Sequence, residues 1–181
     1  MAKNNKKHGH PLMARFLHWS WAFAMLLLGL TGFYIHDPDW IPVFNMDTAR
    51  LIHFIAAYFV IFLVVGRIYY AFAIGDWRDL LVRLKDPLEM RNVIAYYMGV
   101  KKDKPDWGKY NPGQRFVYFG WLPLLILQAF TGFALLEWTT FQWVTDALGG
   151  LVWVRLIHLL LTWGFVVSVM AHLYLGSLAG W

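Results

Sequence analysis

The sequence contains no cysteine. That excludes a disulfide, a thiolate-held iron–sulfur cluster and covalent haem attachment through C-x-x-C-H. Charge is scarce as well: 15% of the 181 residues are charged, and none follows Arg155. Such a composition excludes an ordinary soluble domain. The basic start is followed by an apolar run, but no small-residue cleavage pattern follows "LLLGLTGFYIH", and His18 and two tryptophans interrupt the run, which disfavours a cleaved signal peptide.

What the sequence has in abundance is apolar length. Hydrophobic residues make up 59% of it and aromatics 19%. Runs of the length needed to cross a bilayer lie at about 16–36, 51–74, 116–137 and 152–176. The expectation is therefore an all-α integral membrane protein, one domain over 1–181, built as a four-helix bundle with a loop at 75–113. Of the 16 Lys and Arg, Arg50 and Arg155 stand at the starts of spans two and four. Lys3, Lys6, Lys7, Arg15, Arg67, Arg115 and the eight in 75–113 fall on the other side. The positive-inside rule places both termini and the central loop in the cytoplasm.

The loop carries a helix signature in "KDPLEMRNVIAYYMG". Asp86 suits an N-cap, Pro87 the first turn, Glu89 the return half of a capping box and Gly99 the stop. Leu88, Val93, Ile94 and Tyr97 form the apolar side expected of a short amphipathic helix on the inner membrane surface, although a partner-facing helix would read alike.

An internal repeat is also present. "RFLHWSWAFAMLLLGLTGF" (15–33) aligns with "RFVYFGWLPLLILQAFTGF" (115–133), repeating Arg15, Phe16, Trp21, Leu27, Thr31, Gly32 and Phe33 at an offset of 100. "RLIHFIAAYFVIFLVVGRIYY" (50–70) aligns with "RLIHLLLTWGFVVSVMAHLYL" (155–175), repeating Arg50, Leu51, Ile52, His53 and Tyr69 at an offset of 105. Two helical hairpins of parallel orientation, related by a pseudo-two-fold axis along the membrane normal, would produce this pattern.

Ionisable groups in hydrocarbon are costly and usually functional. His18 opens span one from the inside, His53 and His158 open spans two and four from the outside, and His172 closes span four on the inside. The 14 positions from His158 to His172 correspond to roughly 21 Å of helix and fall about 40° short of four turns, so both rings share one face. A planar macrocycle held by one imidazole from each side accounts for this arrangement. It gives two haems, His53/His158 at the outer level and His18/His172 at the inner one. Gly29, Gly32, Gly66, Gly132 and Gly164 would give flat rings room. The repeat replaces His18 by Tyr118 and His172 by Arg67, which implies a vacated image of the inner site. His8, His10 and His36 read as tail or loop residues, and most of the 11 Trp as an interfacial belt.

Taken together, "RFLHW", "RLIH" with Arg67 14 residues after His53, and His158 with His172 resemble the di-haem cytochrome b subunits that anchor respiratory formate dehydrogenases and nickel–iron hydrogenases. The resemblance spans essentially the whole sequence, which ends at Trp181 without the family's usual cytoplasmic extension. It implies two haem b groups and a bacterial cytoplasmic (inner) membrane location. The partners implied are an iron–sulfur subunit and a catalytic subunit on the outer face, membrane lipid and quinone, with no nucleic acid; a higher oligomer of the complex stays open. "YNPGQ" resembles the "YNxGQ" segment of formate dehydrogenase gamma subunits, which implies a quinone head-group site at Asn111 and Gly113 beside His172, with Tyr118 and Arg67 in the same region. The plain alternative is a turn announcing span three, since Asn-Pro-Gly is strong turn chemistry.

The expected function is electron conduction from the external partner to quinone, with protons drawn from the cytoplasm. No fuel-oxidising site is expected in this sequence. A stand-alone di-haem quinone reductase, a histidine-based metal or proton transporter and a haem-free anchor are the alternatives.

Overall fold

The computed structural model describes residues 12–39, 45–75, 77–101, 103, 107 and 110–179. Lys3, Lys6, Lys7, His8, His10, Lys102, Lys104, Lys109 and Trp181 lie outside the described residues. Every regular element among those described is helical: α1 (Leu12–His36), α2 (Met46–Ala73), α3 (Trp77–Leu80), α4 (Asp86–Tyr97), α5 (Pro112–Leu136), α6 (Gln142–Ala147) and α7 (Leu151–Ala179). Helices α1, α2, α5 and α7 are long and apolar enough to cross a membrane. Large apolar side chains line their outsides, with Phe62 71% and Val167 66% exposed. Such surfaces suit lipid rather than water. The chain is a multi-pass membrane protein.

All four spans begin earlier than the apolar runs do, at Leu12, Met46, Pro112 and Leu151 rather than at 16, 51, 116 and 152. Apolar counting registers only the hydrocarbon, whereas the helix continues to a polar cap. Asn45 Oδ1 accepts from Thr48 N at 2.7 Å at the start of α2. At the start of α5, Asn111 Oδ1 accepts from Gln114 N at 2.8 Å while Gln114 Oε1 accepts from Asn111 N at 3.0 Å, a complete capping box with Pro112 in the first turn.

The chain forms two compact units, one ending at Tyr70 and the other starting at Ala71. The first holds α1 and most of α2. In the second, α5 packs against α7, α4, α3 and the short α6. Val144 of α6 closes a small core with Ala134 and Val154, flanked by Leu135 and Phe141. Gly149 and Gly150, at φ of 89° and 108°, then turn the chain into α7. Only glycine adopts that backbone without strain.

Helix α4 exists where expected, and Gly99, at φ 75°, ends it. Its start differs. Lys85 is the N-cap and the expected capping box is absent. Asp86 lies one residue further in, fully buried, with Oδ1 2.8 Å from Arg115 Nη1 and Oδ2 accepting from Arg83 N at 2.8 Å. A buried guanidinium is a stronger demand on a carboxylate than an orphan helix amide, because leaving the charge unpaired costs several kcal/mol, about 3–5. Arg115 Nη2 also donates to Trp107 O at 3.0 Å. The packed side of α4 is consequently Asp86, Met90, Val93 and Tyr97, so that of the four apolar residues expected along one side Val93 and Tyr97 pack inward while Leu88 and Ile94 are exposed.

Candidate histidine sites at two levels

Thr31 sits near the C-terminal end of α1, and its hydroxyl hydrogen has a fixed destination, because Oγ1 donates to Leu27 O at 2.6 Å. His53 Nδ1 lies 2.9 Å from that same oxygen. With the threonine hydrogen committed, Nδ1–H must donate, which fixes the tautomer and leaves the lone pair on Nε2. Gly32 completes the seat: a Cβ there would stand 3.2 Å from His53 Cε1, so the close approach of the ring requires glycine.

The second unit builds the same seat from the repeat-equivalent residues. Thr131 Oγ1 donates to Leu127 O at 2.9 Å, His158 Nδ1 lies 2.8 Å from Oγ1, and a Cβ at Gly132 would stand 3.3 Å from His158 Cε1. One difference stands out. Gln128 Nε2 lies 3.1 Å from His158 Nε2 and 2.9 Å from Thr162 Oγ1.

These bonds also set levels. In the second unit the pairs Thr131/His158 and Gln128/Thr162 fix an antiparallel register between α5 and α7 that puts Tyr118 level with His172. In the first unit, Thr31/His53 puts His18 level with Arg67. His18 is 13 residues from Thr31 and His172 is 14 from His158, roughly 20 Å in both cases. Within each unit, therefore, one histidine stands at each end of the helix pair: His18 and His53 in the first, His172 and His158 in the second. His18 is exposed, its ring edge-on to Trp19 with centroids 5.3 Å apart, and His172 is half-buried.

The other expected residues are placed as follows. Asn111 is buried, its Oδ1 engaged in the cap and its Nδ2 donating to Tyr97 OH at 3.4 Å. A Cβ on Gly113 would stand 3.3 Å from Asn111 Oδ1 and 3.6 Å from Val93 Cγ1, so glycine here lets α4 pack closely. The Tyr118 ring lies edge-on to Tyr110, centroids 5.3 Å apart. Arg67 is half-buried, with Cζ 6.0 Å from the Tyr70 ring centre. A Cβ at Gly29, Gly66 or Gly164 would meet nothing within 4 Å, so only Gly32 and Gly132 seat a ring directly.

The donor chemistry fits haem. Two neutral imidazoles, each with Nδ1–H tied to a hydroxyl and a lone pair kept on Nε2, are what axial ligation of iron requires. Sequence reasoning singled out the histidines and, among its five glycines, Gly32 and Gly132, but gave no role to Thr31, Thr131, Gln128 or Thr162. The threonines were visible in the repeated "TGF", and Gln128 as a lone amide inside an apolar span.

Comparison with known proteins points the same way. A family model described as prokaryotic cytochrome b561 matches residues 9–181. A probable Ni/Fe-hydrogenase B-type cytochrome subunit of Azotobacter vinelandii is 29% identical over 183 residues, covering 89% of this chain and 76% of that protein. One from Rhizobium leguminosarum bv. viciae is 27% identical over 186 residues, covering 88% and 76%. A putative protein-methionine-sulfoxide reductase subunit of Azospira oryzae is 27% identical over 184 residues, covering 93% and 90%.

Proposed function

Since the chain belongs to the prokaryotic cytochrome b561 family and is a membrane cytochrome b that transfers electrons, we propose that it is the two-haem membrane subunit of a respiratory hydrogenase-type complex. In this reading it carries electrons from an iron–sulfur partner at the outer face to quinone near the inner one. The relatives named as Ni/Fe-hydrogenase cytochrome subunits support a hydrogenase complex as the setting. The carrying observation is the paired seat, with Thr31 fixing His53 and Thr131 fixing His158.

His53 and His158 would hold the outer haem b, His18 and His172 the inner one. Bound haem supplies reversible one-electron chemistry. The chain's residues do the rest. Thr31 and Thr131 hold their rings in the ligating tautomer and raise the basicity of Nε2. Span burial keeps the ligands from water. At the inner level, Asn111 retains a second amide hydrogen that can donate to a quinone oxygen, Tyr118 supplies a hydroxyl, and Arg67 supplies positive charge for propionates or a head group. The basic-residue bias supports an inner-membrane location with this end, and both termini, in the cytoplasm, which makes cytoplasmic water the proton source. The "YNPGQ" resemblance gives a formate dehydrogenase partner as the second reading.

Single replacement of each ligand tests the assignment. His53→Ala or His158→Ala should remove one haem while the other keeps its low-spin spectrum, and His18→Ala or His172→Ala should remove the other. Loss of both haems from a folded single variant, or of neither, would overturn the pairing.

A further inference from the structure

Gln128 is the polar side chain that the electron-transfer account leaves unused. Its repeat counterpart is Leu28, and that of its partner Thr162 is Ala57, so the polar pair is present in the second unit and replaced on both sides in the first. An amide inside a span is costly unless it does something, and here one carboxamide oxygen, Oε1, is buried without a hydrogen-bond partner among the described residues.

The orientation of that amide follows from its neighbours. Thr162 Oγ1 donates to His158 O at 2.9 Å, so its hydrogen is committed and it can only accept from Gln128. His158 Nε2 carries a lone pair, because Nδ1–H is given to Thr131. Both partners are acceptors, at 2.9 and 3.1 Å, and only the NH₂ end satisfies both. Flipping the amide would set oxygen against two acceptors. The buried oxygen is the cost of aiming two donors at Thr162 and His158.

We propose that Gln128 is a positioning residue that competes with haem iron for the lone pair of His158 Nε2, making this ligand harder to engage than His53. Resting on the assignment of His158 as a haem ligand, the inference explains what the amide does. Thr131 and Gln128 clamp the ring at both nitrogens, so ligation requires Gln128 to give up one bond. Removing the donor favours haem from both sides: the haem-free chain loses a hydrogen bond, and the loaded one no longer buries a displaced amide. In the first unit Leu28 meets His53 through its backbone carbonyl, and neither Leu28 nor Ala57 has a side-chain donor to set against the Nε2 lone pair.

The test uses the full-length chain with its partner subunits in detergent, and apomyoglobin as the competing haem acceptor. Gln128→Met keeps length and removes the donor; Gln128→Leu installs the first-unit residue. In each, the equilibrium partition of the outer haem, read from its low-spin absorbance, should shift about fivefold toward the chain, the worth of one neutral hydrogen bond. Leu28→Gln with Ala57→Thr should shift it a similar factor the other way. The inner haem should not move in any of them. An unchanged partition in Gln128→Met, or equal shifts of both haems, overturns the proposal, and the Leu28→Gln arm decides if the Gln128 variants fail to accumulate. His158→Ala separates the two levels of inference: if it leaves haem content unchanged, the ligand assignment itself fails.

Discussion

The threonine–histidine seats of the two units agree at one nitrogen of the histidine and differ at the other. Both tie Nδ1 to a threonine whose hydrogen is given to the preceding turn, and both place a glycine under Cε1. In the second unit an amide also faces Nε2. What the two seats share is the part that selects the tautomer and the ring position; where they differ is at the atom that carries the lone pair. The arginines that open the first and third spans diverge in the same way. Arg15 is exposed, whereas Arg115, 2% exposed, is locked to Asp86 and ties α4 onto α5. In the second unit this arginine holds the segment that connects α2 to α5, whereas in the first it has no such burial.

The comparison breaks most completely at the glycines. Gly32→Val and Gly132→Val each put a branched side chain where a single Cβ already stands 3.2 or 3.3 Å from the imidazole, and each should abolish the outer haem in spectra of the purified protein. Next comes the arginine pair. Asp86→Ala strands a buried guanidinium and should cost about 3–5 kcal/mol in unfolding measured in detergent, against within about 0.5 kcal/mol for the exposed Arg15→Ala. Thr31→Val and Thr131→Val keep shape but remove the acceptor for Nδ1–H; each should weaken haem retention about 10–100-fold, to a like degree in the two units. The smallest effect is at Asn111. Asn111→Ala removes the cap of α5, which should cost about 0.5–2 kcal/mol of stability, and should slow reoxidation by quinone with haem content intact. Unchanged quinone kinetics would reduce Asn111 to a cap.

Much of this was legible in the sequence for physical reasons. Hydrocarbon thickness sets a run length, so four spans could be counted, and an ionisable ring at each end of a span had to have a use. Gly99 was legible because glycine readily takes the positive φ at which this helix stops. Asp86 was misjudged because Asp-Pro before an apolar run looks the same whether the carboxylate caps its own helix or turns to an arginine 29 residues away. Local pattern carries no record of that partner. Thr31 and Thr131 stood in the quoted repeat, yet a threonine bonded to its own preceding turn and one that also orients a ligand have identical spelling.

The central claim is that two haems, each held by histidines of both units, sit at two levels of one chain. Haem quantification on the purified full-length protein, with the dithionite-reduced spectrum and a redox titration of the same sample, measures it directly. The account predicts two non-covalent b-type haems per chain, both low-spin, titrating as two one-electron components, with the outer one lost in His53→Ala and in His158→Ala alike. A single haem per chain at full occupancy of partner subunits, or one that survives loss of either His53 or His158, would contradict it.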